Sequence, residues 1–430
     1  MKPRITTRAA GFSLIELLVA MAIGLVVTLA ITSVLIRSEG SKRSSTSVNE
    51  INQTGAYTAF VLDRVIRSAG SGYSQRWNDV YGCLLDVSKS GSAVLPIPAT
   101  ISASSAFRNI TASPTPLALR LAPVIIGEGL ADTTGAGAQV RGDVLLVMAG
   151  TAGVGESPQS VSVNSINLGT TPPQLQLQNT LGYSTDDLIL LSDKGVASGC
   201  MIQQVGTHDP TTYGQALPLK GSVTDSYYQA VGTHVNLEDL DGDGIALQLG
   251  NAVTNRPQFM AYAVGDNQTL FSYDLLNPLP TGGADNRPDT PIAEGVVEMR
   301  ALYGLDTTNP PDGVLDEWHG PTGDFTAAEL TAGTPTARNR LRQIIAIRVG
   351  MILRTSLQER STATSASAVT AQETYLQPSP ASVTLFEGLE DAGGTSLSYV
   401  RSVTGGDQLY RYRPVDVTIP LRNVQLAPQS

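Results

Sequence analysis

A run of 25 residues near the N-terminus, from Phe12 to Ile36, reads FSLIELLVAMAIGLVVTLAITSVLI, and its only charged residue is Glu16. As an α-helix with a rise of 1.5 Å per residue, the run would be roughly 37 Å long, which exceeds a hydrocarbon core of about 30 Å. It is longer than the apolar region of a secretory signal peptide. Residues 1–11, MKPRITTRAAG, carry three basic residues and no acid. The sequence therefore predicts one membrane-spanning helix over residues 12–36.

The composition of the 430 residues narrows the class of protein. Charged residues are only 15% of the chain, and the 42 Gly and 25 Pro favour strands, turns and loops outside the N-terminal run. The net charge of −10 disfavours a protein that binds nucleic-acid phosphates, so no nucleic-acid partner is predicted. With three His and two Cys, the chain cannot build a multi-cysteine zinc site and has few histidine candidates for catalysis.

Glu16 is an unusual residue for an apolar helix. A carboxylate inside a bilayer costs on the order of a few kcal/mol unless a partner neutralises it. If the chain were cut after Gly11, Phe12 would carry a free cationic amine, and Glu16 would lie four residues further on, on the same helix face. Two partners are then open, the amine of its own chain or that of a neighbouring subunit. The alternative to a functional role is that Glu16 is only a charge tolerated near the membrane interface.

The sequence GFSLIE at residues 11–16, followed by the apolar run, resembles the class III signal of type IV prepilins and of the pseudopilins of type II secretion systems. This resemblance implies that a prepilin peptidase cleaves after Gly11 and methylates the amine of Phe12. It also implies that Glu16 serves assembly. Residues 1–11 would be a cytoplasmic leader that is removed, and the body of the chain would be periplasmic.

The helical pattern continues beyond the membrane-spanning run. Apolar or small residues recur at alternating steps of four and three, which is typical of a helix with one buried face. They are Ile51, Gly55, Thr58, Leu62, Val65 and Ala69, and Val48, Phe60, Val61 and Ile66 widen the stripe. The sequence Gly-Ser-Gly at residues 70–72 ends the pattern. We therefore expect one N-terminal helix over residues 12–70, whose second half packs against a head.

The remainder of the chain is typical of a β-rich head. Short apolar or alternating runs are separated by clusters of Gly, Pro, Ser and Thr. The clearest runs cover residues 143–148, 188–191, 297–303, 347–354 and 410–421. The predicted fold class is α+β, a pilin-like lollipop with one long helix packed on a large β-rich head. A boundary near residues 250–257 divides the head into a first lobe, 71–250, and a second lobe, 251–430.

Several short segments of the head resemble minor pilins of the PilW family. They are GDVLL at 142–146, GC at 199–200, DGIALQ at 243–248, PIAEGV at 291–296 and IPLRN at 419–423. The resemblance implies a non-enzymatic minor pilin of the type IV pilus that helps to prime assembly and lies at or near the pilus tip. The chain would cross the bacterial inner membrane once, with a periplasmic head, and become extracellular in the pilus.

The same resemblance implies a set of partners. They are other minor pilins, the major pilin, the pilus assembly platform and a PilY-type tip adhesin, in addition to the prepilin peptidase. Two alternatives stay open, a large minor pseudopilin of a type II secretion system and a membrane-tethered periplasmic enzyme or binding protein. The second predicts clustered catalytic groups, but the sequence contains neither G-x-S-x-G nor H-E-x-x-H.

The two cysteines, Cys83 and Cys200, would both lie in an oxidising compartment, where an even pair favours a disulfide. A closed loop of this length stabilises the folded chain by about 4–5 kcal/mol in the chain-entropy model. The alternative is a pair of buried free thiols.

An acidic loop at residues 306–317 is a candidate calcium site, although no cofactor is required by the predicted function. Calcium prefers several oxygen ligands on a tight loop. The candidate ligands are the side chains of Asp306, Asn309, Asp312 and Asp316 and the carbonyl of Val314. A second candidate, Asp239, Asp241 and Asp243, has the D-x-D-x-D-G spacing but lacks an acid at the twelfth position. The alternative for both is an acidic surface turn.

Overall fold

The computed structural model describes residues 13–96, 106–107, 110, 119–131, 142–152, 158–193, 199–242, 244–277, 289–358 and 381–427. These residues form one long helix, several short helices and four β-sheets. The helices are α1 Leu14–Ser68, α2 Trp77–Val80, α3 Pro210–Tyr213, α4 Ala327–Leu330, α5 Pro335–Gln343 and α6 Arg422–Gln425.

The strands are β1 Leu84–Lys89, β2 Ser92–Leu95, β3 Val124–Gly127, β4 Val144–Ala149, β5 Gln159–Asn167, β6 Gln174–Leu177, β7 Asp187–Asp193, β8 Gly199–Gln204, β9 Ala216–Pro218, β10 Gly244–Asn251, β11 Gln258–Gly265, β12 Thr269–Asp274, β13 Thr290–Glu294, β14 Val296–Leu305, β15 Glu317–His319, β16 Ile344–Arg354, β17 Ser382–Leu385, β18 Tyr399–Ser402 and β19 Tyr412–Pro420. Each of the five runs that the sequence singled out falls on a strand, namely β4, β7, β14, β16 and β19. The predicted α+β lollipop is confirmed.

Helix α1 begins and ends with local signals that its own sequence supplies. The Ser13 hydroxyl accepts the backbone N–H of Glu16 at 3.2 Å, and the Glu16 carboxylate accepts the N–H of Ser13 at 3.5 Å, so the two form a capping box. At the other end Gly70 has a φ of +77°, a conformation that glycine adopts without strain. The segment Leu14–Leu35 is long and apolar enough to cross a membrane.

The second half of α1 packs on the head along one face. The buried positions on this face are Ser47, Ile51, Gly55, Thr58, Leu62, Ile66 and Ala69. This confirms the predicted stripe, although Val65 is only half-buried. The expectation that Phe60 widens the stripe is wrong, since its side chain is 64% exposed. A step of two residues along a helix turns by about 200°, and Phe60 therefore lies opposite Leu62.

A four-stranded antiparallel sheet, in the order β15-β14-β16-β19, receives α1 and is called the helix-bound sheet below. Its central strand β16 pairs with β14 on one side and β19 on the other, so that Met351 faces Met299 and Val415. At Gly55 the helix comes so close that a Cβ atom would meet side-chain atoms of Leu353 and Val415 at 3.1 Å. Glycine at this position therefore permits the close contact between helix and sheet.

The other sheets build the rest of the head. An eight-stranded sheet has the order β2-β1-β8-β7-β10-β5-β6-β9, and a five-stranded sheet has the order β13-β12-β11-β4-β3. The hairpin β17-β18 lies over the outer face of the helix-bound sheet, where Leu302 and Ile352 pack with Val383 and Phe386. Strand β7 alternates between two cores, since Leu188 and Leu190 join the main core and Ile189 and Leu191 a second one.

Hydrogen bonds cross the boundary that the sequence predicts near residue 250. Strand β4, from the predicted first lobe, pairs with β11, from the predicted second lobe. The main core likewise contains residues from both segments and from α1. The two-lobe division stays a prediction. Strands from both predicted lobes pair within one sheet.

We expect Gly55→Leu to destabilise the head by about 1–3 kcal/mol, the usual cost of overpacking. The added side chain would occupy the space where Leu353 and Val415 now approach the helix. Thermal unfolding of the full-length chain in detergent measures the effect. Gly24→Leu is the matched control, because nothing lies within 4 Å of a Cβ at that position. An unchanged melting temperature for Gly55→Leu would contradict the close packing.

Candidate functional site

The first half of α1 leaves its apolar surface uncovered by the rest of the chain. Every described side chain of the segment Leu14–Leu35 is exposed, including Glu16. Gly11 and Phe12 lie outside the described residues, so cleavage after Gly11 and methylation of Phe12 stay predictions. The pairing of Glu16 with a terminal amine is likewise a prediction. The described contact of the Glu16 carboxylate is with the N–H of Ser13.

An aromatic pair forms a second exposed surface on α1, beside the head. Tyr57 is 55% exposed and Phe60 is 64% exposed, and they stand three residues apart on one face of α1. Gln53 and Arg64 flank the pair and are also exposed. This surface was not predicted, because Phe60 was expected to widen the buried stripe. Tyr57 lies three residues before Phe60, and Arg64 lies four residues after it. This spacing indicates that all three share one face of the helix.

Cys83 and Cys200 form the predicted disulfide, with a Cα–Cα distance of 5.7 Å and both side chains fully buried. The bond stands at the start of β1 and β8, whose short ladder pairs Leu84 with Gly199 and Leu85 with Cys200. This ladder is parallel, whereas the other described ladders are antiparallel. The disulfide therefore anchors the segment after α2 to the eight-stranded sheet.

The acidic loop 306–317 directs its carboxylates to its own backbone and hydroxyls. Asp306 is buried, and its carboxylate accepts the Thr308 hydroxyl at 2.6 Å and the Gly313 N–H at 2.7 Å. Asp316 accepts the N–H groups of Thr307 at 2.7 Å and of Thr308 at 3.2 Å. These hydrogen bonds, first of all the one from the Thr307 backbone, lower the pKa of Asp316 below its ordinary value.

These contacts give the 306–317 loop a source of order other than a metal ion. Asp312 accepts the N–H of Val314 at 2.9 Å, and Asn309 is exposed. Within the part of the chain that the structure describes, no group of three or more His, Cys, Asp or Glu residues is placed to hold a metal ion. Calcium binding at Asp306, Asn309, Asp312, Val314 and Asp316 stays a prediction.

The second acidic loop shows a similar use of its carboxylates. Asp239 accepts the N–H of Asn236 at 3.0 Å, which caps a short 3-10 helix. Asp241 accepts the N–H of Ser165 at 2.8 Å and so joins the loop to β5. Asp243 lies outside the described residues. The two described carboxylates thus serve different backbone segments, and calcium at this loop also stays a prediction.

A buried ion cluster that the sequence does not predict links three parts of the head. Arg300 lies 3.0 Å from Asp143 and 2.9 Å from Glu298, and Arg401 lies 2.8 Å from Glu298. Burial raises the pKa of Asp143 to about 6, while Arg300 opposes the shift. The cluster fastens β18 to β14 and to the residue before β4. Glu298 and Arg300 are two residues apart on β14, but Asp143 and Arg401 are far from them in sequence, so no local pattern indicated the whole cluster.

The three histidines each make a separate local contact. His208 Nε2 is 3.0 Å from the carbonyl of Thr180, and His319 Nδ1 is 2.6 Å from that of Gly320. His234 Nδ1 is 2.8 Å from Asp86, whose carboxylate also accepts the N–H of His234 at 2.7 Å. Asp86 thereby fixes the loop that carries His234. These contacts are structural and bring no two of the histidines together.

Comparison with known families gives two matches, one in the head and one at the N-terminus. A family described as Type IV Pilus-assembly protein W matches residues 261–423, a range that contains all four strands of the helix-bound sheet. The prokaryotic N-terminal methylation motif matches residues 6–32, which contain GFSLIE and most of the apolar run. No curated protein and no solved structure matches the chain.

Proposed function

We propose that the chain is a minor pilin that primes type IV pilus assembly and lies at or near the pilus tip. The proposal starts from its similarity to the Type IV Pilus-assembly protein W family over residues 261–423 and from the N-terminal methylation motif over residues 6–32. One observation carries the proposal. An apolar helix surface that the rest of the chain does not cover is joined through a shared core to a large head. Such a surface needs lipid before assembly and protein neighbours after it.

The size of the head supports the tip position. A major pilin repeats along the filament, so its head must fit between copies above and below it. The head of this chain covers residues 71–430, and its described residues form four sheets. A head of this size clashes with neighbours on both sides in a repeating filament, and an end position removes the clash on one side.

The helix surface supports docking among pilins. Tyr57 and Phe60 of α1 are exposed in addition to the membrane-spanning segment, so the helix offers contact area to a second helix beside the head as well. The proposed partners are other minor pilins, the major pilin, the assembly platform and a PilY-type tip adhesin. Before assembly the chain would cross the inner membrane once, with a periplasmic head. In the pilus the head would be extracellular, and the role would be non-enzymatic.

Deletion and complementation test the proposed function. Cells that lack the chain should carry far fewer pili, and the wild-type chain should restore them. In restored cells, antibody against the head should label pilus ends and not the length of the filament. Normal piliation without the chain would contradict the priming role. A loss of protein secretion with normal pili would instead indicate a pseudopilin.

We expect Glu16→Ala to be cleaved normally but to enter pili at least tenfold less than wild type. Removing one partner of a buried charge pair leaves the other uncompensated and costs about 3–5 kcal/mol, and each 1.4 kcal/mol is tenfold in an equilibrium. Immunoblots of sheared pili and of membranes measure the ratio. Glu50→Ala is the matched control, since Glu50 is an exposed acid of α1 beyond the membrane-spanning segment. Normal incorporation of Glu16→Ala would refute the amine pairing.

A further inference from the structure

The 306–317 loop carries an exposed apolar tip. Val314 is 58% exposed and Leu315 is 37% exposed. Leu315 lies over Gly304, where a Cβ atom would meet the Leu315 side chain at 2.7 Å and that of Trp318 at 3.0 Å. The side chains of Leu315 and Trp318 thus lie together beside β14, and exposed Val314 precedes Leu315 in the loop. Large apolar side chains grouped at the surface mark interaction sites more often than singly scattered ones do.

The loop holds this tip in a fixed conformation. The carboxylate of buried Asp306 bonds to Thr308 and Gly313, which flank residues 309–312, the turn directly before the tip. Asp316 closes the base of the loop by accepting the N–H groups of Thr307 and Thr308. A surface that is already ordered loses less conformational freedom on binding. The loop is therefore built to present Val314 and Leu315 rather than to bury them.

The chain segment that carries the tip is acidic. Residues 306–337 contain six acidic residues and neither Lys nor Arg. Arg340 pairs with two of them, Asp324 at 2.6 Å and Glu329 at 3.6 Å. Among the ion pairs of the described residues, none involves Asp312, Asp316 or Glu317. Charge complementarity therefore favours a partner surface that is basic around an apolar centre.

The position of the loop leaves it accessible beside a packed helix. It joins β14 to β15, and β15 is the edge strand of the helix-bound sheet. Helix α1 contacts the opposite part of the sheet, where Leu353 of β16 and Val415 of β19 meet Gly55. Helices of neighbouring pilin subunits can thus cover α1 without covering the loop.

We propose that the 306–317 loop is a docking element that inserts Val314 and Leu315 into an apolar pocket rimmed by Lys and Arg on a different pilus protein. The inference rests on the proposed function, because it needs the chain to be part of a pilus assembly. The acidic side chains have two roles in it. Asp306 and Asp316 order the loop, and Asp312 and Glu317 supply the charge that the basic rim meets.

Site-specific cross-linking in piliated cells tests the proposal. A photo-reactive amino acid replaces Leu315 in the full-length chain, and in a matched chain it replaces Val253, which is 74% exposed on another part of the head. We expect an adduct with a different protein from position 315 and none from position 253. The yield of the adduct from position 315 should fall as the salt concentration rises, because salt screens the attraction between the acidic loop and the basic rim.

Three variants refine the test. In these variants the photo-reactive amino acid replaces Trp318. Val314→Ser combined with Leu315→Ser should lower the adduct yield at least fivefold, whereas Val231→Ser should not change it. Asp312→Asn keeps the acceptor for the Val314 N–H and removes the charge, so its yield should fall and depend less on salt. Melting temperatures equal to wild type would show that the head stays folded, as expected for exposed positions.

The outcomes separate this inference from the proposed function. A chain that enters pili without forming an adduct at position 315 would overturn the docking loop alone. An adduct with a second copy of the chain would also overturn it, since two acidic loops would then face each other. A chain that never reaches pili in the wild-type form would overturn the proposed function itself.

Discussion

Replacing Cys83 with serine is expected to lower the free energy of unfolding of the head by about 2–5 kcal/mol. The disulfide to Cys200 closes a loop with a sequence separation of 117 residues, and a cross-link of that length removes much conformational freedom from the unfolded chain. The lost bond would also free the segment that leads into β1, whose ladder with β8 joins only Leu84–Asp86 to Gly199–Met201.

Denaturant unfolding of the full-length chain in detergent measures this effect. Cys200→Ser should cost about as much as Cys83→Ser, and the double variant should cost little more, because all three remove the same bond and interacting sites are not additive. Reduction of the wild-type chain should reproduce the loss. Equal unfolding midpoints for the oxidised and the reduced wild-type chain would contradict a stabilising role for the disulfide.

Gly11→Arg is expected to leave essentially all of the chain with its leader attached. The resemblance to prepilin signals places the cleaved bond between Gly11 and Phe12, and a long cationic side chain there should not fit a site that accepts glycine. Without cleavage Phe12 has no free amine, so Glu16 loses its proposed partner and the chain should be absent from pili. Mass spectrometry of the chain purified from membranes gives the leader directly.

Thr7→Arg is the control for added charge. It places one more cation in a leader that already carries three basic residues and does not touch the cleaved bond. This variant should be processed and assembled like wild type. Complete processing of Gly11→Arg would show that the bond after Gly11 is not the cleavage site.

Local patterns in the sequence were enough to predict the helix and many strands. The apolar run and the alternating steps of four and three gave a helix over residues 12–70, and the structure has Leu14–Ser68. The disulfide could be predicted because Cys83 and Cys200 are the only cysteines. In each case the signal lies in neighbouring residues or in composition, so no knowledge of distant contacts was needed.

Features that depend on distant partners could not be predicted. Asp143 meets Arg300 only because β4 and β14 come together, and their separation in sequence gives no hint of the contact. The acidic loop illustrates a second limit. Its spacing predicts oxygen ligands for calcium, which stays a prediction, but it does not indicate that Asp306 and Asp316 bond to backbone N–H groups and hydroxyls of the same loop. Spacing alone does not show which donors a carboxylate finds.

The central claim is that this chain is processed as a prepilin and becomes part of the pilus, and mass spectrometry of sheared pili tests it most directly. The account predicts a peptide that begins at N-methylated Phe12, with head peptides far less abundant than those of the major pilin. Pili that contain the chain with Met1 or an unmethylated internal residue at its N-terminus would contradict the account. So would pili from which peptides of this chain are absent while the membranes contain it.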